Sequence, residues 1–220
     1  FFTWVLLMTG NNIQVFEESA QEYDAWFDRH RLAYESEISA LKKFFIPEVR
    51  ALEIGVGSGR FAVPLGVEVG VEPAAAMANL ARRRGIKVIR AVAEALPFCA
   101  DSFDLVMMVT VLCFLRDPFS ALAEASRVVK PGGQILIGMI DKDSPLGASY
   151  EAHKQENKFY RQARFYSASR VVRWLEELAY EKMDTCQTIF RDLKDITSLE
   201  PARTAHGEGA FVVISAKKAT

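Results

Sequence analysis

The sequence predicts an α/β protein: a mostly parallel sheet wrapped by helices on both faces, in one domain. Three observations carry that prediction. Apolar runs at 50–54, 67–71, 86–89, 104–109 and 134–140 alternate with helical stretches, as expected for strands buried on both sides. The stretch "GVGSG" at 55–59 follows the first run directly, a strand-to-turn junction that lets a ligand approach the backbone. And 220 residues, half hydrophobic and a quarter charged, suffice for a single buried core.

Taken in order, residues 1–12 begin with "FFTWVLLMTG", which reads as an apolar extension outside the fold and is too short to span a bilayer. The domain then runs from 13 to 220. Over 13–46, Phe16, Tyr23, Phe27, Leu32, Ile38 and Leu41 recur at helical intervals, predicting one or two amphipathic helices as an N-terminal cap. Only "RFAVPLG" separates Gly59 from the second apolar run, so the first helix after the glycines is short. Asp117 followed by Pro118 marks a helix start, and "KPGG" at 130–133 ends that helix and turns into the next strand. Ser167 caps a helix whose Val171, Trp174, Leu175 and Leu178 share one face. The polar, aromatic-studded stretch 141–166 reads as a lid insertion. "GEGAFVVISAKKA" at 207–219 gives a final strand, pairing antiparallel with 181–190.

Composition narrows the function. The 27 basic and 28 acidic side chains nearly cancel, which argues against a nucleic-acid or anionic-membrane partner. Cys99, Cys113 and Cys186 are odd in number and far apart, fitting neither a disulfide framework nor a metal site, and suiting a cytoplasmic protein. His30, His153 and His206 lack metal-binding spacing, so no metal is expected.

The glycine turn narrows it further. Glu72 ends the second strand, where a carboxylate can accept both hydroxyls of a ribose. The spacing Gly55-x-Gly57-x-Gly59 is not the dinucleotide pattern, whose third glycine falls on Arg60, and no Gly-Lys-Ser/Thr ending marks a phosphate loop. Glu53, just ahead of the turn, would repel phosphate but could organise the loop around a cationic ligand.

"LEIGVGSGR", "GVEP", "AEALPF", "DSFDLVMM" and "RVVKPGGQILIG" occur in order, and with them the chain resembles the class I S-adenosylmethionine-dependent methyltransferases, most closely the small-molecule branch related to quinone-biosynthesis C-methyltransferases. The resemblance runs from about Tyr23 to Val213. It implies a Rossmann-like three-layer sandwich with a seven-stranded sheet of order 3-2-1-4-5-7-6, strand 7 antiparallel. It also implies S-adenosylmethionine as cofactor and S-adenosylhomocysteine as product. By this resemblance Gly55, Gly57 and Gly59 hold the methionine part and Glu53 organises their loop. Glu72 binds the ribose, Pro73 and Met77 line the adenine, and Ala93 and Glu94 meet its edge. The sulfonium lies beyond the fourth strand, near Val109 to Leu112, with Thr110 as a wall residue and Tyr23 against the cofactor. Two positions depart from the family pattern: Val92 stands where many relatives carry an acid, and a His found near Cys113 and Phe114 in relatives is absent.

The acceptor is a small molecule in this reading, held between the helical cap and the lid. His30, Tyr34 and Asp141 are the candidates for a catalytic base. Trp26, Phe27, Asp143, Tyr150, Tyr160, Arg164 and Tyr166 are further wall or contact candidates. Methyl transfer is an in-line displacement that alignment alone can accelerate, so the lack of an obvious base favours an acceptor that is already nucleophilic. Two other readings stay open: a cofactor-binding protein without methyl transfer, and a nicotinamide oxidoreductase on a related sheet.

Overall fold

A computed structural model describes residues 11–220; the apolar stretch expected to lie outside the fold falls, up to residue 10, outside the described residues. Among the described residues the first helix, α1, runs Asn11–Glu18, so it takes in the last two residues assigned to the extension. It is followed by α2 (Ala20–Arg29) and α3 (Arg31–Lys42). Three helices thus fill the span where one or two were expected. The second break is at His30, whose backbone (φ −114°, ψ 44°) leaves the helical region.

The sheet core follows: β1 (Ala51–Ile54), α4 (Ala62–Leu65), β2 (Val69–Val71), α5 (Ala75–Arg83), β3 (Lys87–Ile89) and β4 (Phe103–Val109). Then come α6 (Pro118–Val128), β5 (Val129–Ile140), α7 (Pro145–His153), α8 (Ala168–Glu177), β6 (Tyr180–Thr188), β7 (Arg203–Thr204) and β8 (Phe211–Lys218). α4 is a single turn, as the short spacer after Gly59 required. Asp117 caps α6, its carboxylate accepting the Ser120 N–H at 3.1 Å, and Ser167 caps α8.

Strand order is β3-β2-β1-β4-β5-β8-β6-β7. The first five strands pair in parallel, and β8 enters antiparallel between β5 and β6. The expected seven-stranded order is therefore present, with one correction: among the described residues the sheet has eight strands. The two-residue β7 adds at the outer edge, pairing with Cys186 and Gln187 of β6. β6 and β8 do not form a tight hairpin, because β7 lies between them in the chain.

Alternation along β4 shows why both faces are covered. Val106 and Met108 belong to one core with α6 and α8. Leu105, Met107 and Val109 belong to the opposite core with α2, α3 and α4. Each of these five side chains is at most 3% exposed, the condition that makes a strand read as a continuous apolar run. The helical cap closes over the C-terminal ends of the strands, where open α/β sheets place their ligands.

Candidate active site

The turn after β1 is built by backbone that side chains would obstruct. Gly55 has φ +71°, and a Cβ there would sit 2.4 Å from Val111 Cγ2. It is the close approach of the β4 end, as much as any ligand, that excludes a side chain. Gly57, also left-handed, presents its N–H to the Glu72 carboxylate at 3.0 Å. The other Glu72 oxygen accepts the Ala74 N–H at 2.8 Å. Glu72 therefore ties the glycine turn to the start of α5 and keeps lone pairs for a further donor. Burial pushes its carboxyl up to about 7, opposed by those two N–H groups.

Glu53 is buried beneath the turn, 1% exposed. It accepts a hydrogen bond from the Ala62 backbone, and one of its oxygens has no partner. Burial holds this carboxyl well above its ordinary range, and the nearby Glu72 charge adds to that.

A cavity of ≈ 900 Å³ opens over the turn, in the size range of ligand pockets; its walls include Gly55, Gly57, Glu72, Pro73, Met77, Ala93, Glu94, Thr110 and Tyr23. These are nine of the predicted cofactor residues, brought together from six segments of chain. Glu53 and Gly59 do not line it. Gly59 backs onto α5, where an added Cβ would lie 3.4 Å from Ala81, and Glu53 supports the loop from below. The cavity also takes Ile13, Phe16, Phe114, Asp117 and Gln162 into its wall, none of which sequence reasoning assigned to the cofactor. Asp117 announced itself only as a helix cap and Phe16 only as a member of an apolar helix face, while Ile13 marked only the start of the helical cap. Val92 lines the cavity as well, so the position where relatives carry an acid presents an apolar surface here. Asp117 places a carboxylate on the same wall.

A second recess, ≈ 70 Å³, lies between the helical cap, the lid and the start of β8. Tyr23 and Thr110 belong to both walls. Thr110 has φ +51°, uncommon for a β-branched residue and a mark of backbone fixed by its surroundings. Trp26, Phe27, Glu37, Tyr150 and Tyr160 are among the other lining residues.

The lid is packed down on the cap. Lys158 pairs with Glu22, and Phe159 sets its ring against Tyr23 at 5.2 Å and Phe16 at 5.8 Å. The Arg164 N–H donates to the Cys113 carbonyl at 2.8 Å, while its guanidinium lies over Tyr166. Burial raises the Cys113 thiol to about 12, which leaves it a packing group.

The three candidate bases line neither cavity. His30 lies against Trp26, ring centroids 4.9 Å apart, and partial burial lowers its pKa. The Tyr34 hydroxyl donates to the Arg60 carbonyl, holding α3 to the glycine loop. Asp141 is fully buried and accepts the N–H groups of Ala168 at 3.0 Å and Asp143 at 3.2 Å. It joins the two ends of the lid, a structural duty that occupies one of its oxygens.

Comparison with known proteins follows the same lines. Residues 52–137 match the model of a methyltransferase domain. The chain is 48% identical over 206 residues to the uncharacterized protein MJ1123 of Methanocaldococcus jannaschii, covering 94% of this chain and 100% of that one. A crystal structure from Thermotoga maritima, described as an S-adenosylmethionine-dependent methyltransferase and possible histamine N-methyltransferase, superposes with a TM-score of 0.90. It is 44% identical, over 93% of this chain and 99% of that chain. The ubiquinone/menaquinone biosynthesis C-methyltransferase UbiE of Xanthomonas oryzae is 34% identical over 145 residues, 56% of each chain.

Proposed function

The chain belongs to the S-adenosylmethionine-dependent methyltransferases, and from that premise we propose that it methylates a small organic acceptor bound in the recess behind Tyr23 and Thr110. The observation that carries this reading is the pair of cavities sharing those two residues. A donor in the larger space and an acceptor in the smaller one lie next to the same two side chains, so in this reading the reacting atoms meet beside Tyr23 and Thr110.

The residues present suit the cofactor. The larger cavity offers a side-chain-free turn at Gly55 and Gly57, a buried carboxylate at Glu72 and apolar surface from Pro73, Met77 and Ala93. In this reading the turn holds the amino-acid tail, Glu72 accepts the ribose hydroxyls and Met77 packs on the base. Glu53 and Gly59 act from behind, keeping the loop in shape. When bound, the cofactor supplies a methyl group on a positively charged sulfur, transferred by in-line displacement. The protein's task is then to align the acceptor and exclude water. The closed lid and the aromatic cap serve the second need; Tyr23 and Thr110, at the shared wall, serve the first.

The recess is enclosed by apolar rings and holds one carboxylate, a lining suited to an organic molecule and unsuited to a polynucleotide. The Thermotoga relative's description puts an amine among the acceptors to try. Calorimetry with S-adenosylmethionine, S-adenosylhomocysteine and NAD tests the cofactor half: the first two bind and NAD does not. Incubation with a labelled methyl donor and a panel of thiols, amines and phenols tests the acceptor half. Binding of the cofactor with no transfer to any of them would favour a sensor over an enzyme.

A further inference from the structure

We propose that Glu37 is the anchor of the acceptor site and that the acceptor is a small primary or secondary amine, an inference that rests on the methyl-transfer reading above. Glu37 lies on α3, is 9% exposed and lines the smaller recess. Among the described residues no hydrogen bond or ion pair reaches its carboxylate; burial alone acts on it. The other buried carboxylates each have at least one donor: Glu72 has two N–H groups, Glu200 has Arg191 and the Phe190 N–H, and Glu53 and Asp141 are each answered on one oxygen. A buried acid left without a donor is costly unless something outside the chain supplies one.

The surroundings select what that donor is. Trp26, Phe61, Tyr150, Phe159, Tyr160 and Phe211 wall the recess, and no Lys, Arg or His lines it. A carboxylate in a box of aromatic side chains complements a small organic cation: the ammonium N–H groups meet the acid, and the carbons beside nitrogen pack against the rings. An alcohol or thiol brings no positive charge to draw the acid into its ionised form, and a carboxylate would bring a second acid into an apolar box that offers it no cation. The ≈ 70 Å³ of space corresponds to roughly five water-sized positions, enough for an ammonium head and a few carbons.

The same carboxylate has a use in the reaction. An ammonium has no free lone pair, so it must lose a proton before it can attack. That proton passes from nitrogen to a Glu37 oxygen, giving a neutral amine and a carboxylic acid. The nitrogen pair then forms the C–N bond to the donated methyl carbon as the C–S bond breaks, its electrons staying with sulfur. The product is a methylated ammonium, and charge balances at each step. Burial pushes the Glu37 carboxyl up to about 8, so it takes and returns a proton near neutrality. The titratable groups facing it are Tyr23 of α2, Tyr34 on its own helix, and Tyr150 and Tyr160 of the lid. These are phenols that burial raises above their ordinary value, so they stay neutral in that range.

The test uses the whole chain saturated with S-adenosylhomocysteine at pH 7, titrated calorimetrically with n-butylamine, n-butanol and butyrate. The amine is expected to bind about tenfold or more tighter than the other two. Repeating the titration in buffers of different ionisation enthalpy is expected to show close to one proton released per amine bound, since Glu37 starts protonated and the pair ends one proton short. Glu37→Gln is expected to weaken amine binding about tenfold or more and abolish the proton release, with S-adenosylhomocysteine binding unchanged. Equal binding of the three probes, no amine binding, or wild-type amine affinity in the variant overturns the proposal. Should the variant not fold, the three-probe comparison and proton count on the natural chain decide. Failure of the underlying reading is separate: it appears as no S-adenosylhomocysteine binding by the natural chain.

Discussion

Glu72 and Glu37 are both buried carboxylates facing a cavity, yet they are held in opposite ways. Glu72 accepts two backbone N–H groups; Glu37 accepts none. The first belongs to a site whose polar parts are organised by the chain before any ligand arrives. The second belongs to a site whose polar part is completed only by the ligand. A preorganised acid costs little to keep, whereas an unanswered one destabilises the empty protein, as strain at functional sites often does.

That contrast gives the largest expected effect. With its carboxyl raised by burial to about 8, Glu37 stays protonated in the folded chain while the unfolded chain loses that proton above about 4.5. Stability from this group is therefore full below pH 4.5 and lost as pH rises through 8. Glu37→Gln cannot ionise, so its advantage over the natural chain should grow from about 1 kcal/mol at pH 5 to about 3–5 kcal/mol at pH 9. Thermal melts at the two pH values check this; a constant offset would place the carboxylate in water rather than in the recess.

The next effect breaks the other site through its backbone. Gly55→Ala puts a methyl group 2.4 Å from Val111 Cγ2 on a left-handed residue. Overpacking and backbone strain together are expected to cost about 2–4 kcal/mol of stability, with loss of cofactor binding. Adding Val111→Ala removes Cγ2 but leaves its Cβ 2.9 Å from the new methyl group, so it should return only part of the packing cost and leave the backbone part, about 1 kcal/mol. Denaturant melts of the single and double variants measure the split.

A smaller effect separates the acids by ligand. Glu72→Ala should weaken S-adenosylhomocysteine binding by about 1–3 kcal/mol, and Glu37→Gln should leave it alone. Because burial sets the Glu72 carboxyl at about 7 and ribose hydroxyls favour its ionised form, affinity should rise roughly tenfold between pH 6 and 8. Glu72→Gln should flatten that rise. Calorimetry at the two pH values decides, and a flat profile in the natural chain would remove Glu72 from the ribose.

The two sites also differ in how far the sequence reveals them. Gly55, Gly57, Glu72, Pro73 and Met77 lie within one strand–turn–helix–strand–helix stretch, so the spacing reports the glycines and the strand-end acid, and the resemblance adds Pro73 and Met77. The smaller recess draws Glu37 from the cap, Tyr150 and Tyr160 from the lid, and Phe211 from the last strand. No local pattern encodes contacts that distant. One signal was present: Glu37 shares a helical face with Ala33, Ala40 and Leu41, all at most 2% exposed, while Glu35 turns outward to Arg31. An acid on the apolar face of an amphipathic helix is the exception worth noticing. The parallel strands were legible because both faces are buried. The short β7 was not, since two exposed residues carry no periodicity.

The smallest effect concerns the boundary between the sites. Lys158 joins the lid to Glu22 and Ser19 of the cap, and both charged side chains are about half exposed, at 40% and 53%. A pair so open to solvent contributes about 0–1 kcal/mol, so Lys158→Ala should scarcely change the melting temperature. Its neighbour Phe159, however, packs on Phe16 and Tyr23, which wall the larger cavity. If the lid holds both ligands in, the variant should release S-adenosylhomocysteine a few-fold faster, with the change reduced at high salt, where the natural pair is itself screened. Stopped-flow displacement at low and high salt measures this. Equal release rates would mean that ring packing alone keeps the lid shut, and that the ion pair only decorates its outer edge.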